Sequence, residues 1–174
     1  ALLEEAFSYL DTPYGWGGRA GGRDCSRFLM DVLGAFGLEL PRHSGTQARA
    51  GSMTIDLSQA KTDKERLSII DAAATSGVVL LHFPGHIMLY LGRSAEGTPM
   101  VMHAFAEYVE ACAAPGADAG AGETLRTVDR VQVSDLSLGK GTSRRSFLER
   151  VTQVVVLGKN PGAALIGALR WRPA

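Results

Sequence analysis

Sulfur is scarce in this chain: its 174 residues hold only two cysteines, Cys25 and Cys112. One disulfide at most is available, too few for a stapled framework, and a free reactive thiol is left open. Long apolar runs are also missing. The longest, Gly77 to Leu81, is strand-sized, far short of the roughly 20 residues that span a bilayer, so no membrane span is expected. Neither charge sign dominates: Lys plus Arg and Asp plus Glu stand at 18 each and are balanced along both halves. A face built to neutralise a phosphate backbone is not expected, and nucleic acid is set aside as a partner. The first residue is Ala1, and no basic segment leads into an apolar stretch. An export signal is therefore expected to have been removed or to lie outside these residues, and compartment is not readable from the residues themselves.

What remains is ordinary globular composition, 45% hydrophobic and 21% charged, in a length that suits one domain over residues 1–174. Ala1 to Leu10 carries Leu2, Leu3, Ala6, Phe7 and Leu10 at the spacing of a helix with one buried face. Thr12 to Arg23 is glycine-rich and must bend. Asp24 is then placed to cap a helix from Cys25 to Gly37, whose Phe28, Leu29, Val32, Leu33 and Phe36 keep the same period. Leu38 to Ala50 reads as a loop with one helical turn at Gly45 to Ala50. Thr62 to Ala74 is a third helix, with Thr62 and Glu65 in capping-box spacing.

From Gly77 the period changes. Val78 to Phe83, Ile87 to Gly92 and Met100 to Phe105 are short, apolar and separated by turns, the pattern of an antiparallel meander. Thr127 to Val133 and Gln153 to Leu157 extend the sheet, with a helical stretch near Ser143 to Val151 between them. Helices first and a sheet afterwards make the expected class α+β. The Ala/Gly-rich stretch Ala111 to Glu123 reads as a surface loop.

Cys25 is the sharpest chemical feature. A thiol in the first turn of a helix feels the positive end of the helix dipole, which favours thiolate and lowers its pKa. A nucleophile also needs a base and a group that holds the base's tautomer. His86 opens one strand and His103 lies near the end of the next, so a hairpin brings the two rings together with His86 as base and His103 as orienter. Zinc is the competing use of Cys and His, but no CxxC or HExxH is present. His82 precedes His86 by four residues in a strand-and-turn context and is expected to be structural or at a rim. No metal and no cofactor are expected. Trp16 and Tyr90 are expected in the core, Cys112 has no base nearby, and the Arg144-Arg145 pair is too short for a nucleic-acid or membrane patch.

Five strings in order, PYGWGG (13–18), DCSRF (24–28), LPRHSGTQ (40–47), GHIMLYLG (85–92) and VMHAF (101–105), resemble the NlpC/P60 family of bacterial cell-wall cysteine peptidases. SDLSLG at 134–139 is similar to the subgroup whose members carry bacterial SH3-like domains ahead of the catalytic domain. The resemblance implies a papain-like α+β fold and a site outside the cytoplasm, periplasmic or in the cell wall. It further implies cleavage of peptidoglycan stem peptides, commonly between γ-D-glutamate and a diamino acid such as meso-diaminopimelate. By position it makes Cys25 the nucleophile, His86 the base, His103 the third member and Tyr14 an oxyanion partner, with Asp24, Ser26, Arg42 and Ser44 lining the substrate cleft. It also leaves room for SH3-like domains beyond these residues.

Two departures stand out. Arg27 replaces the small residue usual after the Asp-Cys-Ser triplet, adding charge near the cleft or simply facing solvent. The interval from His86 to His103 is longer than usual, with Arg93 to Pro99 expected to absorb the excess. An amidase or acyltransferase on the same fold, and a catalytically silent wall-binding module, are the rival readings.

Overall fold

Asp24 does start a helix. In the computed structural model, which describes residues 1–112 and 122–158, its side chain accepts the Arg27 N–H at 2.8 Å and α2 runs Cys25–Gly34. Before it, α1 (Leu2–Ser8) packs on α2 through the Tyr9–Phe28 edge contact, and a 3₁₀ segment spans Trp16–Gly21. Then come α3 (Ser44–Gln47), β1 (Met53–Asp56) and α4 (Asp63–Ala74), the last opened by the full Thr62/Glu65 capping box. The remainder is β2 (Val78–Phe83), β3 (His86–Arg93), β4 (Pro99–Ala111), β5 (Glu123–Asp135), α5 (Phe147–Arg150) and β6 (Gln153–Leu157).

The six strands form one antiparallel sheet in the order β1-β6-β2-β3-β4-β5. Strand alternation sorts their side chains onto two apolar layers. Leu80, Ile87, Leu89, Met102, Ala104 and Val155 pack against Phe28, Leu29, Val32 and Leu33 of α2. Leu81, Met88, Tyr90, Val101, Phe105 and Val154 pack with Ile70 and Ala73 of α4 and Phe147 of α5. The α+β, papain-like expectation holds, with helices preceding and flanking an antiparallel sheet.

Several boundaries differ from those read in the sequence. β1 was not anticipated, because it is an edge strand of four residues that fully buries only Ile55, too short for its alternation to stand out from the loop around it. β4 and β5 run on past Phe105 and before Thr127 as a two-stranded ribbon whose side chains are mostly exposed, so hydrophobic period does not mark it. The helix expected over Ser143 to Val151 is one turn, Phe147–Arg150, leaving Arg144 and Arg145 in irregular backbone with Arg145 at φ 61°. On α1 only Ala6 is fully buried, while Leu3, Phe7 and Leu10 are exposed, since α2 covers a single edge of that helix. Of the expected loop Ala111 to Glu123, residues 113–121 lie outside the described residues, as does the tail from 159.

Candidate active site

The glycine-rich segment brings two backbones into contact ahead of α2. A Cβ on Gly22 would lie 2.8 Å from the Gly15 Cα, and Gly17 and Gly18 have φ of 69° and 79°, so side chains are excluded by space in one case and by conformation in the other. That folded loop delivers the Gly17 N–H to Asp24 Oδ2 at 3.0 Å. Asp24 is buried, and its carboxylate also accepts from Ser26 Oγ (3.1 Å) and from both terminal nitrogens of Arg42 (3.1 and 2.6 Å). Arg42 in turn donates to Ser26 Oγ at 2.8 Å. The bidentate guanidinium fork and the N-cap bond hold the Asp24 carboxyl below its ordinary range, against a burial effect that pushes it up. Gln47, fully buried on α3, ties the two loops together by donating to the Ser26 and Pro41 carbonyls at 3.0 and 2.8 Å.

Cys25 follows the cap and is 9% exposed. Its thiol is not the depressed one expected from the helix terminus. Burial pushes it up and the neighbouring Asp24 charge adds to that, while the backbone N–H groups of Ile87, Ser26 and Cys25 itself pull it back. Desolvation of the anion works against the partial charge of the helix end. Tyr14 lies close enough to feel both Cys25 and Asp24, which with burial raise its phenol.

The hairpin pairs the imidazoles as its strand order requires. His86 Nε2 and His103 Nδ1 are 2.7 Å apart, and His103 Nε2 is 2.9 Å from Ser134 Oγ on β5. His103 is wholly buried, stacked on Phe105 at 4.1 Å, while Phe83 and Phe147 flank His86 at 5.2 and 5.9 Å. Phe83, Phe105 and Phe147 belong to the layer under α4 and α5, so the imidazoles do not lie beneath α2. They meet the Cys25 end of α2 at the start of β3, where the Ile87 N–H reaches the sulfur. Burial lowers both rings: His86 to about 3, with help from the Arg150 and His82 charges, and His103 well below 6.5, with help from His86. No Cys25–His86 hydrogen bond forms in this geometry; the thiol and the ring face one cleft of about 490 Å³, consistent with contacts that tighten only on substrate.

That cleft takes in Tyr14, Asp24, Cys25, Ser26, Arg42, Ser44 and His86, with His103 behind His86. Arg27 is not among its walls; it pairs with Asp31 one turn on at 2.8 Å and faces solvent. Tyr90 is buried and donates to Asp71 at 2.7 Å, as a core residue, whereas Trp16 stands 71% exposed at the cleft wall, thrown outward by the Gly17-Gly18 turn, contrary to the core placement expected. His82 is buried with its Nδ1 lacking a partner, and Cys112 is exposed, its sulfur 3.0 Å from Thr124 Oγ1. Among the described residues no group of three or more Cys, His, Asp or Glu is placed to hold a metal ion. Ser134, Phe147, Arg144 and Arg150 belong to the site or its walls and were not anticipated. The register explains Ser134, which pairs with Val101 and so stands diagonally across from His103, a relation that no local spacing reveals.

The NlpC/P60 family model matches residues 11–137, which include Tyr14, Cys25, His86, His103 and Ser134 but not Arg144 or α5. A Bacillus subtilis protein named gamma-D-glutamyl-L-lysine dipeptidyl-peptidase is 33% identical over 93 residues, covering 52% of this chain but only 28% of that relative. In fold, an NlpC/P60 endopeptidase from Photobacterium damselae subsp. piscicida superposes with a TM-score of 0.70 at 19% identity, over 92% of this chain and 39% of its own. The peptidoglycan hydrolase RipB from Mycobacterium tuberculosis does so at 0.50 and 19%, over 91% and 64%. With the family match running through most of its length and the same fold beneath it, the chain belongs to the NlpC/P60 family.

Proposed function

We propose that the chain is one catalytic domain of a cysteine peptidase that cuts peptidoglycan stem peptides at the bond between γ-D-glutamate and a diamino acid, in the cell wall or periplasm. The observation that carries the reading is the row Ser134–His103–His86 opening into the cleft that holds Cys25. The name of the Bacillus subtilis relative supports the bond, and the family supports a wall substrate. Among the described residues no helix is long and apolar enough to cross a membrane. SH3-like domains outside these residues belong to the same reading.

The chemistry follows from proton positions. Ser134 Oγ accepts the His103 Nε2–H, which leaves His103 Nδ1 bare to accept the His86 Nε2–H, which leaves His86 Nδ1 bare toward the cleft. That nitrogen removes the Cys25 proton as sulfur attacks the γ-carbonyl. The negative oxygen that forms is met by the Cys25 N–H and by the Tyr14 phenol. His86 then gives its proton to the departing amine, a thioester remains on Cys25, and water activated by the same nitrogen releases the γ-carboxylate. Asp24, Ser26, Arg42 and Ser44 shape the acyl side. Asp24 has its lone pairs occupied, so it acts there by fixing Arg42 and the Gly17 backbone.

The test is incubation with L-alanyl-γ-D-glutamyl-meso-diaminopimelate, followed by mass spectrometry. Release of the L-alanyl-D-glutamate dipeptide and free diaminopimelate is expected from the native protein, and none from Cys25→Ala of unchanged circular dichroism. A transferred acyl group as product would point to the acyltransferase alternative, and persistent cleavage by Cys25→Ala would overturn the mechanism.

A further inference from the structure

Arg150 is a half-buried cation with no carboxylate partner among the described residues. Every other arginine on the cleft walls has one: Arg42 is held by Asp24 and Arg144 by Glu107 at 2.8 Å. The Arg150 guanidinium carbon instead sits over the Phe83 ring, 4.0 Å from its centroid, with the Phe147 ring at 5.8 Å. Its acidic chain neighbour, Glu149, is spent on the capping box with Ser146. An aromatic face offsets part of the cost of a desolvated charge but supplies no hydrogen-bond acceptor for its five N–H groups. A guanidinium presented in this way on a cleft wall is suited to a planar anion arriving with the substrate.

The cleft is ordered by charge. Asp24 and Arg42 are the charged neighbours of Cys25 and occupy its acyl side. Arg150 is the charged neighbour of His86, with Phe83 bridging the His86 ring and the guanidinium. His86 protonates the departing amine, so the wall beyond it meets the amine-side residue. We propose that Arg150 is the binding site for a side-chain carboxylate on that residue, which makes the cleft selective for diaminopimelate over lysine at the amine side of the scissile bond. Diaminopimelate carries a carboxylate at the far end of its side chain where lysine has none. The proposal rests on the peptidase reading above and adds to it which diamino acid is taken. An anion at Arg150 also removes the positive field that disfavours the imidazolium form of His86, so the preferred peptide assists its own proton transfer.

The experiment compares kcat/KM for L-alanyl-γ-D-glutamyl peptides ending in meso-diaminopimelate, in diaminopimelate amidated at its distal carboxyl, and in L-lysine. The native protein is expected to favour the free acid over the other two by about 10- to 100-fold, the range for losing a charge-assisted pair. In Arg150→Gln the ratio collapses towards one, chiefly through loss on the free acid, and Arg150→Lys, which keeps the charge but not the fork, falls between. Equal efficiency on all three peptides in the native protein, or an equal fall on all three in Arg150→Gln, would overturn the proposal while leaving the peptidase reading intact. Cleavage of none of them would overturn both.

Discussion

Replacing Ser134 by alanine tests the proton row at its far end, away from sulfur and substrate. His103 is fully buried, and Ser134 Oγ at 2.9 Å is the partner of its Nε2. Removing the hydroxyl strands a buried N–H, at a cost of about 1–3 kcal/mol. The cost falls on the tautomer in which His103 Nδ1 is bare, and His86 needs that tautomer to donate Nε2–H while holding a second proton on Nδ1. In the ground state His103 can escape this cost by moving its proton to Nδ1, but the imidazolium that His86 becomes in the transition state requires His103 Nδ1 bare and its proton on Nε2, so the loss falls chiefly on the transition state. Carried into the barrier, 1–3 kcal/mol is roughly 5- to 150-fold in kcat. The assay is steady-state hydrolysis of the diaminopimelate peptide, with urea unfolding alongside. Ser134→Ala is expected to lower kcat within that range with little change in KM, and Ser134→Thr to restore most of it. A Ser134→Ala protein that is less stable yet turns over at the native kcat would refute the reasoning, because the hydroxyl would then be structural only.

Two further outcomes follow from the same geometry. Arg42→Ala leaves the buried Asp24 carboxylate without its fork, although the Arg27 and Gly17 N–H groups remain, and is expected to lower unfolding stability by about 2 kcal/mol in urea, with Arg42→Lys intermediate. His82, His86 and His103 all have folded-state pKa values below 6.5, so as pH falls through about 6.5 the unfolded chain takes up protons that the folded protein refuses. Stability is therefore present above that pH and lost below it, by up to about 1.4 kcal/mol per pH unit for each ring, with the Asp24 contribution lost only near pH 4 and lower. Thermal unfolding between pH 7 and 4 is expected to show this slope, reduced in His103→Asn; a melting temperature flat over that range would contradict it.

Where local chemistry decides the backbone, the sequence was legible. Thr62 and Glu65 announce α4, Asp24 announces α2, and the turn after β3 holds the long interval between His86 and His103 without turning either ring away. Where burial decides, it was not. The four residues of β1 alternate over too short a span to mark a strand, and the outer ribbon of β4 and β5 is hydrogen-bonded but mostly exposed. Trp16 reads as core by composition and stands in solvent because two positive-φ glycines reverse the chain beneath it. The pairing of the imidazoles was visible from hairpin logic, but the burial that pushes the Cys25 thiol up was not: its position at a helix start argues for a lowered value, and only the packing around it works against that. Ser134 and Arg150 depend on cross-strand register and on how α5 returns over Phe83, relations between segments far apart in sequence.

The most direct test of the central claim is acid quenching during turnover of the diaminopimelate peptide, followed by peptide mapping. The account predicts a thioester-linked L-alanyl-D-glutamyl group on the peptide containing Cys25, absent from the one containing Cys112, accumulating further when His86 is replaced only to the extent that acylation survives. Product formation with no adduct on Cys25, together with undiminished cleavage by Cys25→Ala, would contradict it.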